Sequence, residues 1–335
     1  MRFSPGLSAA LALFFIKNRL RGCMRSPVVL MLEPTHRCNL SCAGCDRIRL
    51  DSKARLPDLT LMECLEAAIE SKAPVVTITG GEPLLYRDLK ELVSGLLDLK
   101  RYIYLCTNGL IAGSFVDDYL PHPRLTLSFH VDGMEETHDR LTGRPGSFKK
   151  VIEGIKGATK HGFRVWTNTS LYKWTDEAEL VELFSLLKKL GVEGLLVSPA
   201  FGYASVLDDI FLRKEEVALK FGRLRRRLRG FPLTGTPIYF DFLEGKGNMA
   251  CVPWGSPTRN PLGWKSPCYL ITDRYYGSFS ELMEKTPWEA YGPGRDGRCR
   301  DCMVHSGFEP AAMEKCFSNP GEMAKMMWWN MSGGR

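Results

Sequence analysis

From Pro27 onward, short runs rich in branched aliphatic residues alternate with longer stretches whose apolar positions recur at helical spacing. The runs Val28–Glu33, Val75–Thr79, Tyr102–Thr107, Leu125–His130, Phe163–Thr169 and Gly194–Ser198 predict strands buried on both faces. Helical patterns fill the gaps at Leu61–Ser71, Asp88–Leu99, Ser147–His161 and Asp176–Leu190, and Arg213–Arg229 follows the last strand. Thr60-x-x-Glu63 offers a capping box to the first of these helices and Gly191 a stop to the fourth, whereas Phe115–Tyr119 predicts only a short helical piece. Strand and helix alternating in this way imply a parallel sheet with right-handed crossovers, so the expected class is α/β, a partial (β/α)6 barrel.

The alternation fails at both ends. Near Gly235 the periodicity fades, and Gly, Pro, Trp and Cys dominate to Arg335. The expected organisation is therefore an N-terminal helix over 1–26, the barrel over 27–234, and a small, loop-rich, cysteine-rich, metal-binding extension over 235–335. In the first segment Ala9, Leu13, Ile16 and Leu20 share one helical face, flanked by Lys17 and Arg21. Its apolar run, Gly6–Ile16, is far shorter than the roughly 20 residues that span a bilayer, and basic residues follow it in place of a cleavage site. A helix lying on a membrane surface and one docked on the protein's own core both fit this pattern.

Composition adds three constraints. A chain of 335 residues suits one large core with an addition. The excess of 45 basic over 38 acidic residues gives +7, too small to imply nucleic acid, but suited to an acidic redox partner or an anionic lipid surface. Most of the eleven cysteines cluster, at 38/42/45 and at 251/268/299/302/316, which implies metal ligation in a reducing cytoplasm; the N-terminal helix adds the expectation of peripheral contact with the inner face of the membrane.

Cys38, Cys42 and Cys45 follow directly on the first strand, at the mouth where barrels of this kind carry their chemistry. Three thiolates at this spacing can hold three irons of a cubane and leave the fourth open to a small molecule. The alternative is zinc with His36 as fourth ligand, although a structural zinc site is normally compact and closed. One βα unit later comes Gly80-Gly81-Glu82-Pro83, where paired glycines allow close main-chain approach and Glu82 offers a negative charge to an ammonium.

CxxxCxxC after one strand and GGEP at the end of the next resemble the radical S-adenosylmethionine superfamily, from about Val28 to Ser198. The resemblance implies a 4Fe–4S cluster on Cys38, Cys42 and Cys45, with S-adenosylmethionine as co-substrate, its amino group received by Gly80, Gly81, Glu82 and Pro83, and a 5′-deoxyadenosyl radical as product of its cleavage. SFHVDGMEETHDRLTGRPGSF, 128–148, resembles the stretch after strand four in members with extra clusters, and with it Ser128, Asp132 and Asn168 are expected cofactor contacts. Gly44 departs from the pattern, since many members place a bulky residue there to pack on adenine. C-x11-G-x4-C at Cys251, Gly263 and Cys268, followed by Cys299-x2-Cys302, resembles the half-length auxiliary-cluster domain of some members. A second iron–sulfur cluster or a zinc ion is expected there, because spacing does not separate the two metals. Cys316 is then a fifth candidate ligand or an inert core thiol, and His305 a substitute ligand or a core residue.

At a finer level, residues 251–270 (CVPWGSPTRNPLGWKSPCYL), DCMVHSGFE at 301–309 and the LMLEPTHRCNLSCAGC stretch resemble the adenosyl-hopene transferases of hopanoid biosynthesis. That resemblance implies addition of the adenosyl radical to the alkene of a hopene such as diploptene, giving adenosylhopane. It also implies a flavodoxin or ferredoxin as electron donor, and membrane access through the N-terminal helix and the Met323–Met331 tail. Cys106, at the mouth end of strand three, would quench the resulting carbon radical as a hydrogen donor; the alternative is a buried thiol acting as a small hydrophobe. Other readings are hydrogen abstraction from another lipid or a peptide, and a non-catalytic metal module.

Overall fold

The computed structural model describes residues 3–23, 25–46, 56–203, 205–206 and 209–332. Six parallel strands run in sequence order: β1 Val29–Thr35, β2 Val75–Gly80, β3 Tyr102–Thr107, β4 Leu125–His130, β5 Arg164–Leu171 and β6 Gly194–Pro199. Between them lie α2 Leu61–Ser71, α3 Leu89–Asp98, α4 Ala112–Asp118, α5 Glu135–Thr142, α6 Ser147–Lys160 and α7 Glu177–Lys189, after the N-terminal α1 Pro5–Leu20. The expected α/β partial barrel is thus present, with a C-terminal extension. Thr60 caps α2 as the sequence predicts: its hydroxyl accepts from Glu63 N at 3.2 Å while Glu63 Oε2 accepts from Thr60 N at 2.8 Å. α5 was not foreseen, because its eight residues are mostly polar and bury only His138, Leu141 and Thr142.

Alternation along the strands sorts side chains into two layers. Leu105, Leu127, Phe129, Val165 and Val197 point into the helical layer and share one core with Leu92, Leu96, Ile155 and Leu183. Tyr104, Cys106, Ser128, His130, Trp166 and Asn168 point into the barrel lumen. The lumen floor is aromatic: Tyr104 and Trp166 pack with centroids 4.8 Å apart, and Phe3 meets Trp166 edge-on at 6.2 Å.

α1 lies across that floor. Leu7 and Leu11 are buried against Val28, Val75, Tyr102 and Tyr104, at the N-terminal ends of the first three strands. One face of this helix thus docks on the protein's own core, while Ala9, Leu13, Ile16 and Leu20, the face singled out in the sequence, all remain exposed. Among the described residues no helix is long and apolar enough to cross a membrane.

After β6 come α8 Lys214–Arg227 and α9 Pro237–Leu243, and then three short strands, β7 Thr258–Asn260, β8 Gly263–Pro267 and β9 Thr272–Tyr276. β7 pairs in parallel with the free edge of β1, so among the described residues the sheet has nine strands in the order β6-β5-β4-β3-β2-β1-β7-β8-β9. β1 therefore has partners on both sides, and the loop that follows it is held on a central strand. α10 Phe279–Lys285, α11 His305–Ser318 and α12 Pro320–Met331 complete the chain, giving the extension more regular structure than the expected loop-rich unit. α11 escapes a periodicity search because it carries Pro310 inside and buries Phe308, Ala311, Ala312 and Cys316 around much of its circumference.

Candidate functional site

β1 ends at a register irregularity between Leu32 and Thr35, where Pro34 withholds an N–H from the ladder and its carbonyl accepts from Leu59 N at 2.8 Å. The chain then turns across the mouth as the three-cysteine loop. That loop is pinned on several sides. Ala43 N donates to Leu141 O at 2.8 Å, Arg144 Nη1 to Asn39 O at 3.2 Å, and Asn108 Nδ2 to Asn39 Oδ1 at 2.7 Å. Cys45 N donates to Cys42 O at 3.2 Å, closing a tight turn that brings the last two thiols together.

The end of β2 rests directly on the start of this loop. Gly81 N donates to Thr35 O at 3.0 Å and Glu82 N to Arg37 O at 2.8 Å. A Cβ at Gly81 would stand 2.1 Å from Arg37 O, and Gly80 adopts φ +118°, so both glycines are required by the packing of main chain on main chain. Glu82 is buried, and its carboxylate accepts from Leu84 N at 3.0 Å, Thr107 Oγ1 at 2.8 Å and Asn108 N at 2.8 Å. Burial nevertheless raises its pKa, these three bonds opposing the rise. A carboxylate has about four lone-pair sites, so one stays free for an external donor. Pro83 opens the short 3₁₀ turn Pro83–Leu85 immediately afterwards.

Burial raises the pKa of Cys42 far above its ordinary value, and the neighbouring Cys45, Asp132 and Cys38 push the same way; Cys38 is also raised, burial again leading. Thiolates this crowded need a cation to neutralise them. The donor set of Cys38, Cys42 and Cys45 therefore fits a metal cluster. Where Gly44 departs from the family pattern, Tyr172 fills the space: a Cβ at position 44 would lie 2.6 Å from its hydroxyl oxygen. Tyr172 is itself stacked on Trp174, centroids 5.9 Å apart.

Deeper in the lumen, Cys106 stands opposite Ser128 in the β3–β4 register. Burial pushes the Cys106 thiol up to about 12, with the Glu82 charge adding to the rise, so it keeps its S–H at neutral pH. Ser128 thus faces Cys106, one tier below the mouth. Asp132 accepts from Ser170 N at 2.7 Å through one oxygen and pairs with His130 Nε2 at 2.7 Å through the other. His130, opposite Asn168 in the β4–β5 register, was not singled out in the sequence. Burial disfavours its charged form, but Asp132 overrides this and raises its pKa. The signal was available in the alternation Thr126, Ser128, His130, which places an imidazole on the lumen face.

The second cysteine group lies around one cavity. Cys251, Cys268, Cys299 and Cys302 line one cavity with Phe201, Leu270 and Phe308. Ile271 N donates to Cys268 Sγ at 3.3 Å, and a Cβ on Gly307 would meet Cys251 Sγ at 2.4 Å, so the first turn of α11 is cut back to admit that sulfur. Burial and then Cys302, Cys268 and Cys299 raise the pKa of Cys251, the same demand for a cation as at the first group. Among the described residues, no three Cys, His, Asp or Glu side chains at either group converge as ligands of one ion. Cys316 lies elsewhere, buried between α11 and α12 with Sγ 3.7 Å from Glu322 O, and His305 is a half-buried imidazole whose pKa desolvation lowers to about 4.

Residues 32–198 match the family model of the Radical SAM superfamily, and residues 195–326 a second one described as a domain of unknown function, DUF3463. AdoMet-dependent heme synthase of Methanosarcina barkeri is 32% identical over 171 residues, covering 50% of this chain and 48% of that protein. Pre-heme d1 synthase of Dinoroseobacter shibae is 30% identical over 51% of this chain and 43% of its own length, and PqqA peptide cyclase of Gluconobacter oxydans 32% identical over 49% and 47%. The chain spans about half the length of these curated relatives. Among solved structures, Streptococcus suis SuiB bound to its precursor peptide SuiA aligns over 91% of this chain and 76% of its own, with a TM-score of 0.64 at 14% identity.

Proposed function

From the premise that this chain belongs to the radical SAM superfamily, whose members use a 4Fe–4S cluster and S-adenosylmethionine, we propose that it adds the 5′-deoxyadenosyl group to the alkene of a hopene-type lipid, diploptene, forming adenosylhopane. When bound, the cluster and S-adenosylmethionine supply the 5′-deoxyadenosyl radical. In this reading Cys38, Cys42 and Cys45 hold the cluster, and Glu82 uses its remaining acceptor site for the cofactor's ammonium beside Gly80, Gly81 and Pro83. Asp132, with His130 and Asn168, faces the cofactor's other polar groups. An exposed Arg144 beside the loop suits an acidic donor such as flavodoxin or ferredoxin.

The observation that carries the reading is Cys106: a neutral thiol, paired in register with Ser128, in the lumen between the mouth and an aromatic floor. Abstraction of a substrate hydrogen needs no such group. Addition to a terminal alkene leaves a tertiary carbon radical, and one S–H, weaker than the C–H formed, can quench it from one face; the Cys106 thiyl radical left behind returns to the thiol on taking one electron from the flavodoxin or ferredoxin donor and one proton. Anaerobic incubation with diploptene, dithionite and S-adenosylmethionine is expected to give adenosyl attached to lipid; free 5′-deoxyadenosine as the sole nucleoside product would instead support abstraction from another lipid or a peptide. Cys106→Ala is expected to cleave S-adenosylmethionine as before while reduced adduct falls or loses stereochemical purity. Unchanged product by chiral chromatography and mass spectrometry would remove the residue from the reaction.

The Cys251, Cys268, Cys299 and Cys302 cavity is read as a second metal centre with all its ligands from the chain. Cys251→Ser with Cys302→Ser is expected to lower metal per chain, measured by inductively coupled plasma spectrometry, without altering the content due to the first loop. Loss of iron identifies a cluster, loss of zinc a structural ion, and unchanged metal removes the centre.

A further inference from the structure

We infer that the floor of the barrel, opposite the cluster mouth, is a docking face for an anionic lipid bilayer. α1 is apolar on two sides. One side seals the barrel, and the other leaves Leu13 at 66%, Ile16 at 56% and Leu20 at 84% exposure, a single stripe at helical spacing. A helix held by its own core needs no second apolar stripe, and water penalises one.

The C-terminal helix extends this surface. Phe15 stacks on Phe317 with centroids 4.5 Å apart, and at the other end of α1 Phe3 N donates to Asn330 Oδ1 at 2.9 Å. The chain from Phe317, at the end of α11, through α12 to Asn330 thus joins the two ends of α1, and α12 leaves Trp328 at 67% and Met331 at 66% exposure, while Trp329 turns inward and donates to Gly235 O. Indole and thioether side chains of this kind suit the boundary between headgroups and acyl chains.

Charge selects the occupant. α1 contains no acidic residue and carries exposed Lys17, Arg19 and Arg21 at its end. Each crossover helix runs opposite to its strand, so helix C-termini gather at the floor. They bring exposed Lys72, Lys100, Lys160, Lys189, Arg226 and Arg229, which outnumber the acids at the same level, Glu70, Asp98, Asp117, Asp118 and Glu193. An apolar stripe inside a basic surround matches an anionic membrane surface in both respects. Docked this way, the cluster mouth faces away from the bilayer, open to S-adenosylmethionine and a soluble reductant. The inference deepens the lipid-substrate reading and draws its biological sense from it.

Vesicle flotation tests it without substrate, cofactor or turnover, so its failure and that of the proposed reaction are separately visible. The full-length protein is expected to float with phosphatidylcholine vesicles containing phosphatidylglycerol, more weakly with phosphatidylcholine alone, and to be released in about 0.5 M salt, where screening acts within a few ångströms. Leu13→Glu with Ile16→Glu, both on the exposed face, should lower binding on the order of tenfold or more with an unchanged far-ultraviolet spectrum. Arg226→Glu with Arg229→Glu should weaken binding to the anionic vesicles only. Absence of binding by the unmodified protein, equal binding by the Leu13/Ile16 variant, or a dimer in sedimentation that this variant dissociates would overturn the inference, the last by assigning the stripe to a second copy.

Discussion

Gly81→Ala is expected to abolish cleavage of S-adenosylmethionine although every cysteine and Glu82 remain in place. The added methyl would fall 2.1 Å from Arg37 O and 2.5 Å from His36 O, both main-chain atoms at the start of the cysteine loop. Neither can yield as a flexible side chain would. Relief requires moving the loop or the end of β2, and either movement breaks the Gly81–Thr35 and Glu82–Arg37 backbone bonds, 3.0 and 2.8 Å long, that tie them together. Overpacking of this kind costs about 1–3 kcal/mol, tolerable for the fold but concentrated on the element that must present three thiols in register. The measurements are 5′-deoxyadenosine and lipid adduct after anaerobic reconstitution, with a thermal melt. Unmodified cleavage rates would mean that the loop does not depend on its seat against β2.

Alanine at any one of Cys38, Cys42 or Cys45 is expected to have an equally large effect through a different route. With two thiolates left, the loop should fail to retain a cluster, and its visible absorption and S-adenosylmethionine cleavage should drop to background. Stability of the unloaded protein should hardly change, since these side chains stand at the mouth, outside the core formed by Leu30, Leu32, Ile78 and Ile103. Cys64→Ala makes the contrasting control: Cys64 is fully buried in that core, 4.0 Å from the Tyr86 hydroxyl. It should lower the melting temperature and leave iron content intact. Cleavage by the loop variants at the unmodified rate would show that these thiolates do not carry the reaction.

Much of this architecture was legible because the relevant signals are local. Strand and helix alternate at distinct periods, Thr60 and Glu63 announce a helix start, and the loop cysteines lie within eight residues of one another. What stayed hidden depends on distant partners. The four later cysteines could be grouped by spacing, but their meeting around one cavity rests on β7–β9 and α11, elements masked by short length and an internal proline. The role of Tyr172 at Gly44 is likewise unreadable from either position alone. α1 posed the hardest case: an amphipathic pattern does not say which side meets the core, and here Leu7 and Leu11 do, while the more regular stripe faces outward.

The nine-stranded sheet ends in two margins, and each is protected differently from recruiting a strand of another molecule. At β6, Leu195 N already donates to Pro232 O at 2.9 Å, so the returning chain occupies part of that margin. At β9, Asp273 and Arg274 place opposite charges on consecutive residues of a five-residue strand, and Arg298 reaches in to grip Asp273. Short, charged borders resist edge-to-edge polymerisation. An open sheet of this breadth can therefore resist pairing with a strand of another copy without closing into a complete ring.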